Sequence, residues 1–300
     1  MNRNESFPSV IDSTIRSIYV SCPRQFYWNA IRHLRKHNAS IHLHFGKVFA
    51  VGLETYRIAF YRDHLPKHEC EAAAARAMLL QWGDWEESDQ DGLKTLDRCL
   101  LAIDSYFKEY PPGTDIIQPY MTEKGPSVEF TFALPLGINH PETGEPILYA
   151  GRFDLLGIYN NHLWVVDEKT TLRLGPSWGN SWIMRGQFLG YVKAAQEHNI
   201  HVNGTIVRGT SILKESYGHA QIILPVQQWK VEEWWEQLHQ DVSNMIADWH
   251  YGRFSKVFGD ACSSYNGCSY LPLCDAPDPE RWVSQYSIVH WNPLTQEESI

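Results

Sequence analysis

No stretch of the chain approaches the roughly 18–20 consecutive apolar residues that a membrane-spanning helix needs. The N-terminal MNRNESFPSVIDS has no apolar core of the kind a secretory signal carries. The sequence therefore reads as that of a soluble, cytoplasmic protein without a membrane partner. It has no internal repeat and no low-complexity linker. Neither G-x-G-x-x-G nor G-x-x-x-x-G-K-[ST] is present, so the common phosphate-cradling loops are unsupported. Basic residues are in the minority, 26 Lys and Arg against 35 Asp and Glu for a net charge of −9. That balance alone argues against non-specific nucleic-acid binding. Acid, however, is missing from two long segments. Between Asp12 and Glu54 stand only Arg16, Arg24, Arg32, Arg35, Lys36 and Lys47, and between Glu168 and Glu197 only Lys169, Arg173, Arg185 and Lys193. Two such segments can line one anion-binding groove, although ordinary solvated faces would give the same pattern.

What is present is a chain of 300 residues, 43% hydrophobic and 20% charged, enough to build one large core or two small ones. The first ~120 residues read mainly as helices. Pro23 suits a first helical position beside Cys22. Further helices are expected over 46–61, 69–82 and 93–110, the last broken by Pro111-Pro112-Gly113. The period then changes to two, predicting strands over 128–134, 147–159, 162–170, 204–213 and 220–224, with a helix over 181–197 between them. Val231, Trp234, Leu238, Val242, Met245 and Trp249 mark a long amphipathic helix, and the Cys-, Pro- and Tyr-rich tail after Asp260 is irregular. The expected fold is α/β: a mixed central sheet flanked by helices, with a mainly helical region at 1–120, a sheet-and-helix core at 121–252 and a cysteine-rich segment at 253–300, all in one domain.

One hairpin concentrates chemistry. In GRFDLLGIYNNHLWVVDEKTT, a two-residue Asn160-Asn161 turn pairs Tyr159 with His162, Leu156 with Val165 and Asp154 with Asp167. Directly opposed aspartates repel unless something positive sits between them. Alternation puts Asp154, Asp167 and Lys169 on one face and turns Glu168 to the other, where its loss should be far milder for the chemistry than that of either aspartate. Oxygen ligands so arranged suit a hard divalent cation, Mg²⁺ or Mn²⁺. A surface salt-bridge cluster is the plainer alternative, which the flanking Phe153, Leu155, Leu156, Val165 and Val166 weaken. The cysteines are also uneven. Of six, Cys262, Cys268 and Cys274 fall within thirteen residues, which suggests metal ligation.

Asp154 followed by Asp167-Glu168-Lys169 resembles the PD-(D/E)XK nuclease superfamily. Gln187-Phe188-Leu189-Gly190-Tyr191 resembles the QxxxY helix of its RecB-like branch, and Ser21-Cys22-Pro23-Arg24-Gln25-Phe26-Tyr27 resembles that branch's opening motif. The trailing cysteines resemble those of its iron–sulfur members, such as the AddB nuclease domain and the CRISPR-associated RecB-like exonucleases. The likeness runs from about Ser13 to Cys274 and is greatest to stand-alone nucleases of phages and prophages.

The resemblance implies a metal-dependent deoxyribonuclease of bacterial or phage DNA recombination, repair or processing, more often an exonuclease, working in the cytoplasm of a bacterial or phage-infected cell. DNA would be its substrate, and a helicase or recombinase a conceivable partner. Asp154 and Asp167 would bind the catalytic metal, Lys169 would orient or activate the attacking water, and Gln187 and Tyr191 would hold substrate near it. Arg173 and Arg185, flanking the motif, are candidate substrate contacts. Cys22 would join Cys262, Cys268 and Cys274 around a [4Fe–4S] cluster, with a four-cysteine zinc site as the rival. Relatives often carry a metal-binding His four residues after the glycine matching Gly46. Here Ala50 stands there, with Glu54 one turn further on. A DNA-binding or scaffold protein that keeps the fold without catalysis is the competing reading.

Overall fold

The computed structural model describes residues 5–36, 40–88, 91–263, 267–295 and 297–299. The chain forms two compact units, each discontinuous in sequence: 39–130 with 152–228, and 1–38 with 131–151 and 229–300.

In the first of these, three helices make a helical layer: α1 (Ile41–Arg57), α2 (Lys67–Trp82) and α3 (Leu96–Glu109). The α1 stripe Ile41, Phe45, Val48, Phe49 and Leu53 recurs at helical spacing and is buried throughout. Gly52 lets α2 approach, since a β-carbon there would lie 2.6 Å from Met78 Sδ. Thr95 caps α3 by accepting from the Arg98 amide at 3.3 Å, and Pro111 follows its end. Ile212 and Tyr217, from the sheet, complete this core.

The sheet of this unit contains the end of β1 (Pro146–Tyr159), then β2 (His162–Thr171), β3 (Val202–Ile212) and β4 (Tyr217–Pro225). Pairing is antiparallel for β1 and β2, parallel for β2 and β3, and antiparallel for β3 and β4. Between β2 and β3 the chain passes through a one-turn helix, Pro176–Asn180, and α4 (Gly186–Glu197). The mixed α/β architecture is thus the expected one. Asn160 and Asn161 form the β1–β2 turn with φ of 48° and 61°, the left-handed values such a turn demands. The expected helix over 181–197 is shorter than its apolar pattern predicts. It starts only at Gly186, because 181–185 is a turn that closes onto carbonyls of Trp178, Gly179, Asn180 and Trp182.

The second unit is organised by a helix at Ser13–Ser21 and a long one at Gln228–Tyr251. Asp12 caps the shorter helix, accepting from the Ile15 amide at 2.6 Å, and also accepts from Trp291 Nε1 at 2.9 Å. Arg16 pairs with Asp241 at 2.8 Å, and the Tyr19 hydroxyl donates to Asp248 at 2.9 Å. Cys22 precedes the short helix Pro23–Phe26 as expected. The tail is less irregular than its composition suggests. Leu271–Asp275 is helical, and Tyr270, Leu273 and Tyr286 pack with Trp28 and Leu34.

Candidate active site

The β1–β2 register is the one the sequence predicts, from Tyr159–His162 to Leu155–Val166. It does not extend to the expected Asp154–Asp167 pair. There a side chain takes over from the ladder: Asp154 Oδ2 accepts from the Glu168 backbone N–H at 2.7 Å. The backbone pairing therefore ends at the acidic residues, with a side-chain bond in its place.

Asp167 is fully buried. Its Oδ2 lies 2.6 Å from Lys169 Nζ, while its Oδ1 has no hydrogen-bond partner among the described residues. Burial drives the carboxyl pKa of Asp167 up against the pull of Lys169. Burial, then the charge of Asp167, pushes Asp154 well above the usual carboxylate range. An orphaned buried carboxylate oxygen beside a second crowded carboxylate is the electrostatic setting a hard divalent cation relieves. The donor set is small, however. Among the described residues no three His, Cys, Asp or Glu side chains stand close enough to hold one ion.

Glu168 does point away from Asp154 and Asp167, but not to a face where it is idle. Its carboxylate is buried and pairs with both terminal nitrogens of Arg57, at the end of α1, with Nη1 at 3.2 Å. Tyr106 of α3 donates to it at 2.8 Å. Tyr106 also receives Arg208 of β3 at 3.3 Å, and Arg208 grips Asp115 at 2.6 and 2.7 Å. Arg57 and the hydrogen bonds hold the Glu168 pKa below its ordinary value despite complete burial. Glu168 is thus on the opposite face, as alternation predicts, and the network gives it a structural role that alternation does not reveal.

Sequence reasoning also missed Glu129. It lies at the start of the strand Val128–Asn139, with φ of 51°, and its carboxylate is 2.6 Å from Arg152 Nε. Burial pushes its pKa up to about 7, against Arg152 and with Glu54 adding to the rise. Glu54 is itself half-buried and raised by desolvation rather than solvated on a helix face. The missing signal was positional, since Glu129 stands 25 residues before Asp154 in no recognisable spacing.

The Gln187 amide donates to the Tyr191 hydroxyl at 2.6 Å, so the two do act as a pair on one face of α4. The Tyr191 ring is buried and meets Phe153 edge-on at 5.8 Å. Arg173 and Arg185 are exposed. The guanidinium of Arg185 is near enough for its charge to favour the Asp167 carboxylate and disfavour the Lys169 ammonium.

In the other unit, Cys22, Cys262, Cys268 and Cys274 line one cavity of about 140 Å³. Burial raises the Cys268 and Cys274 thiols. Among the described residues the four are not drawn together as a metal-ligand set, which supports neither the expected [4Fe–4S] cluster nor the zinc alternative. Cys70 and Cys99 are buried within the helical layer, as packed thiols. No helix of the described residues is long and apolar enough to cross a membrane.

Two solved structures are similar to this chain at low identity. One is a Eubacterium rectale protein assigned as an exonuclease, at 10% identity and a TM-score of 0.47, with 85% of this chain and 86% of that one covered. The other is SSO0001, at 13% identity and a TM-score of 0.34, with 86% and 83% covered. No curated protein matches. The family comparison matches residues 15–275, a span that takes in the hairpin with Asp154, the buried Asp167, Lys169 and the Gln187–Tyr191 helix, and it makes this chain a member of the PD-(D/E)XK nuclease superfamily.

Proposed function

We propose that the protein is a metal-dependent deoxyribonuclease of the RecB-like branch, hydrolysing phosphodiester bonds at the face formed by Asp154, Asp167 and Lys169. The observation that carries this reading is the Asp154–Asp167–Lys169 constellation itself: a half-buried carboxylate crowded against a fully buried one that has an orphaned oxygen, and a lysine in contact with the second. A fold kept only as a scaffold has no use for a pair so costly to bury without a cation.

Asp154 and Asp167 would hold Mg²⁺ or Mn²⁺, which when bound supplies Lewis acidity and lowers the pKa of a water molecule. Asp154 is fixed through the Glu168 amide, and Asp167 through Lys169. Lys169 keeps a positive charge at the face where negative charge grows on the phosphoryl oxygens as water attacks phosphorus and the P–O bond breaks. Arg185 adds a second positive charge there and favours entry of a phosphate. Gln187, hydrogen-bonded to Tyr191, presents its remaining polar atoms along α4 for substrate. Incubation of the purified protein with labelled DNA in Mg²⁺, Mn²⁺ or EDTA tests the reading. Cleavage that EDTA abolishes supports it, and absence of cleavage on every DNA form favours the scaffold alternative.

The shared cavity favours a second element of the reading: Cys22, Cys262, Cys268 and Cys274 would hold a [4Fe–4S] cluster. The reading rests on the four thiols sharing the wall of one cavity of about 140 Å³. The role would be structural, since none of these cysteines lies in the unit that carries the carboxylates.

A further inference from the structure

The segment between β2 and α4 has an anchored base and an uncovered tip. Leu174 and Trp178 lie on β3 at Gly209, where a β-carbon would stand 2.4 Å from the Trp178 ring and 2.7 Å from Leu174 Cδ2. Any larger residue at 209 would lift the segment off the sheet. Trp178 meets Trp182 edge-on at 5.7 Å, and Trp182 meets Phe188 of α4 at 5.7 Å. Beyond these anchors the chain exposes apolar surface: Leu172 is 52% exposed, Ile183 48% and Met184 71%.

Single exposed apolar side chains are ordinary on any protein. These differ in three ways. They sit three residues after Lys169 and three before Gln187, so the catalytic strand and helix fix their place. Ile183 and Met184 lie between Arg173 and Arg185, and all three stand in a stretch without acid. The Arg185 guanidinium lies 5.8 Å from the Trp182 ring centre, which keeps that charge beside the apolar tip. A ligand that offers flat apolar faces and a phosphate chain meets both the exposed apolar side chains and the neighbouring positive charge. That ligand is a nucleic-acid strand with unpaired bases. Duplex DNA keeps its base faces stacked inside and offers the tip only phosphates.

Resting on the nuclease reading above, we propose that Ile183 and Met184, beside Arg185, form a subsite for unstacked bases next to the scissile phosphate, so that the enzyme prefers single-stranded or frayed ends. Met184 suits this role because its unbranched, polarisable side chain adapts to any base. Binding would be tolerant of sequence, since every base has an apolar face.

The test is fluorescence anisotropy of labelled oligothymidylate and of a blunt duplex, in EDTA, for the wild type, the Ile183→Ser/Met184→Ser double variant and Met184→Leu. The double variant should lose about tenfold in single-strand affinity and little in duplex affinity. Its salt dependence should be unchanged, because no phosphate contact is removed. Met184→Leu should bind as the wild type does. The substituted side chains are exposed, and an unchanged melting temperature confirms folding. Equal single-strand affinity in the double variant and the wild type overturns the subsite while leaving the nuclease reading intact. A wild type that binds neither probe overturns both.

Discussion

The Glu168 backbone amide donates to the Asp154 carboxylate at 2.7 Å while the Glu168 side chain, on the opposite face, is locked to Arg57. One residue thus ties the candidate metal-binding face to the helical layer. Arg57 and Tyr106 hold Glu168, and Glu168 holds Asp154.

Glu168→Ala should be strongly destabilising. It leaves the Arg57 guanidinium buried without its partner, a loss of about 3–5 kcal/mol. Glu168→Gln keeps the hydrogen bond from Tyr106 and should cost less. Urea unfolding of the two variants checks the order. If Glu168→Ala is as stable as the wild type, the buried pair is not what secures this strand.

Stability should also report the carboxylates through pH. A carboxyl whose folded pKa is raised contributes stability below its unfolded pKa and loses it as pH rises through the folded one. Asp154, Asp167 and Glu129 are all raised, Glu129 to about 7. The metal-free protein should therefore lose these contributions as pH climbs from about 4 to about 8. A divalent cation favours the ionised carboxylates, so the rise in Tm on adding Mn²⁺ should be small near pH 5 and large near pH 8. Equal shifts at the two ends would mean the cation binds elsewhere. Glu168, whose pKa is lowered, acts with the opposite sign and affects both arms alike.

Much of this site was legible in the sequence because it is local. The Asn160-Asn161 turn fixed the hairpin register, and alternation then separated Lys169 and Asp167 from Glu168. What could not be read depends on distant partners. Arg57 lies 111 residues before Glu168, and nothing in its helical stripe marks it as a buried charge. The end of the ladder at Leu155 is set by a side chain competing for a backbone donor, which periodicity does not register. The helix expected from 181 begins later because the turn at 181–185 is held by local backbone hydrogen bonds, which an apolar pattern does not register.

Neutralising Arg185 should weaken binding to DNA of all sequences alike and reduce the salt slope by about one counterion. Arg173, exposed and further along the same segment, should add a similar change. Salt titrations of the single and double variants measure this. An unchanged slope in the double variant would make both ordinary surface residues.

Protein purified without oxygen should be brown and carry iron, and Cys22→Ala should bleach and destabilise it as much as Cys274→Ala does. A colourless protein with no iron, or a Cys22→Ala variant with its full iron content, would remove the cluster from the account without touching the carboxylate site.

The most direct test is single-turnover cleavage of end-labelled DNA by the wild type, Asp167→Asn and Lys169→Met, each with and without Mg²⁺. Asp167→Asn nearly preserves shape while removing the charge that would hold the cation. The wild type should cleave only with the metal, and both variants should be slower by on the order of a thousandfold, with melting temperatures no lower than the wild type's by more than a few degrees. Cleavage that persists in EDTA, or variants that cut at the wild-type rate, would contradict the assignment of hydrolysis to the Asp154–Asp167–Lys169 face.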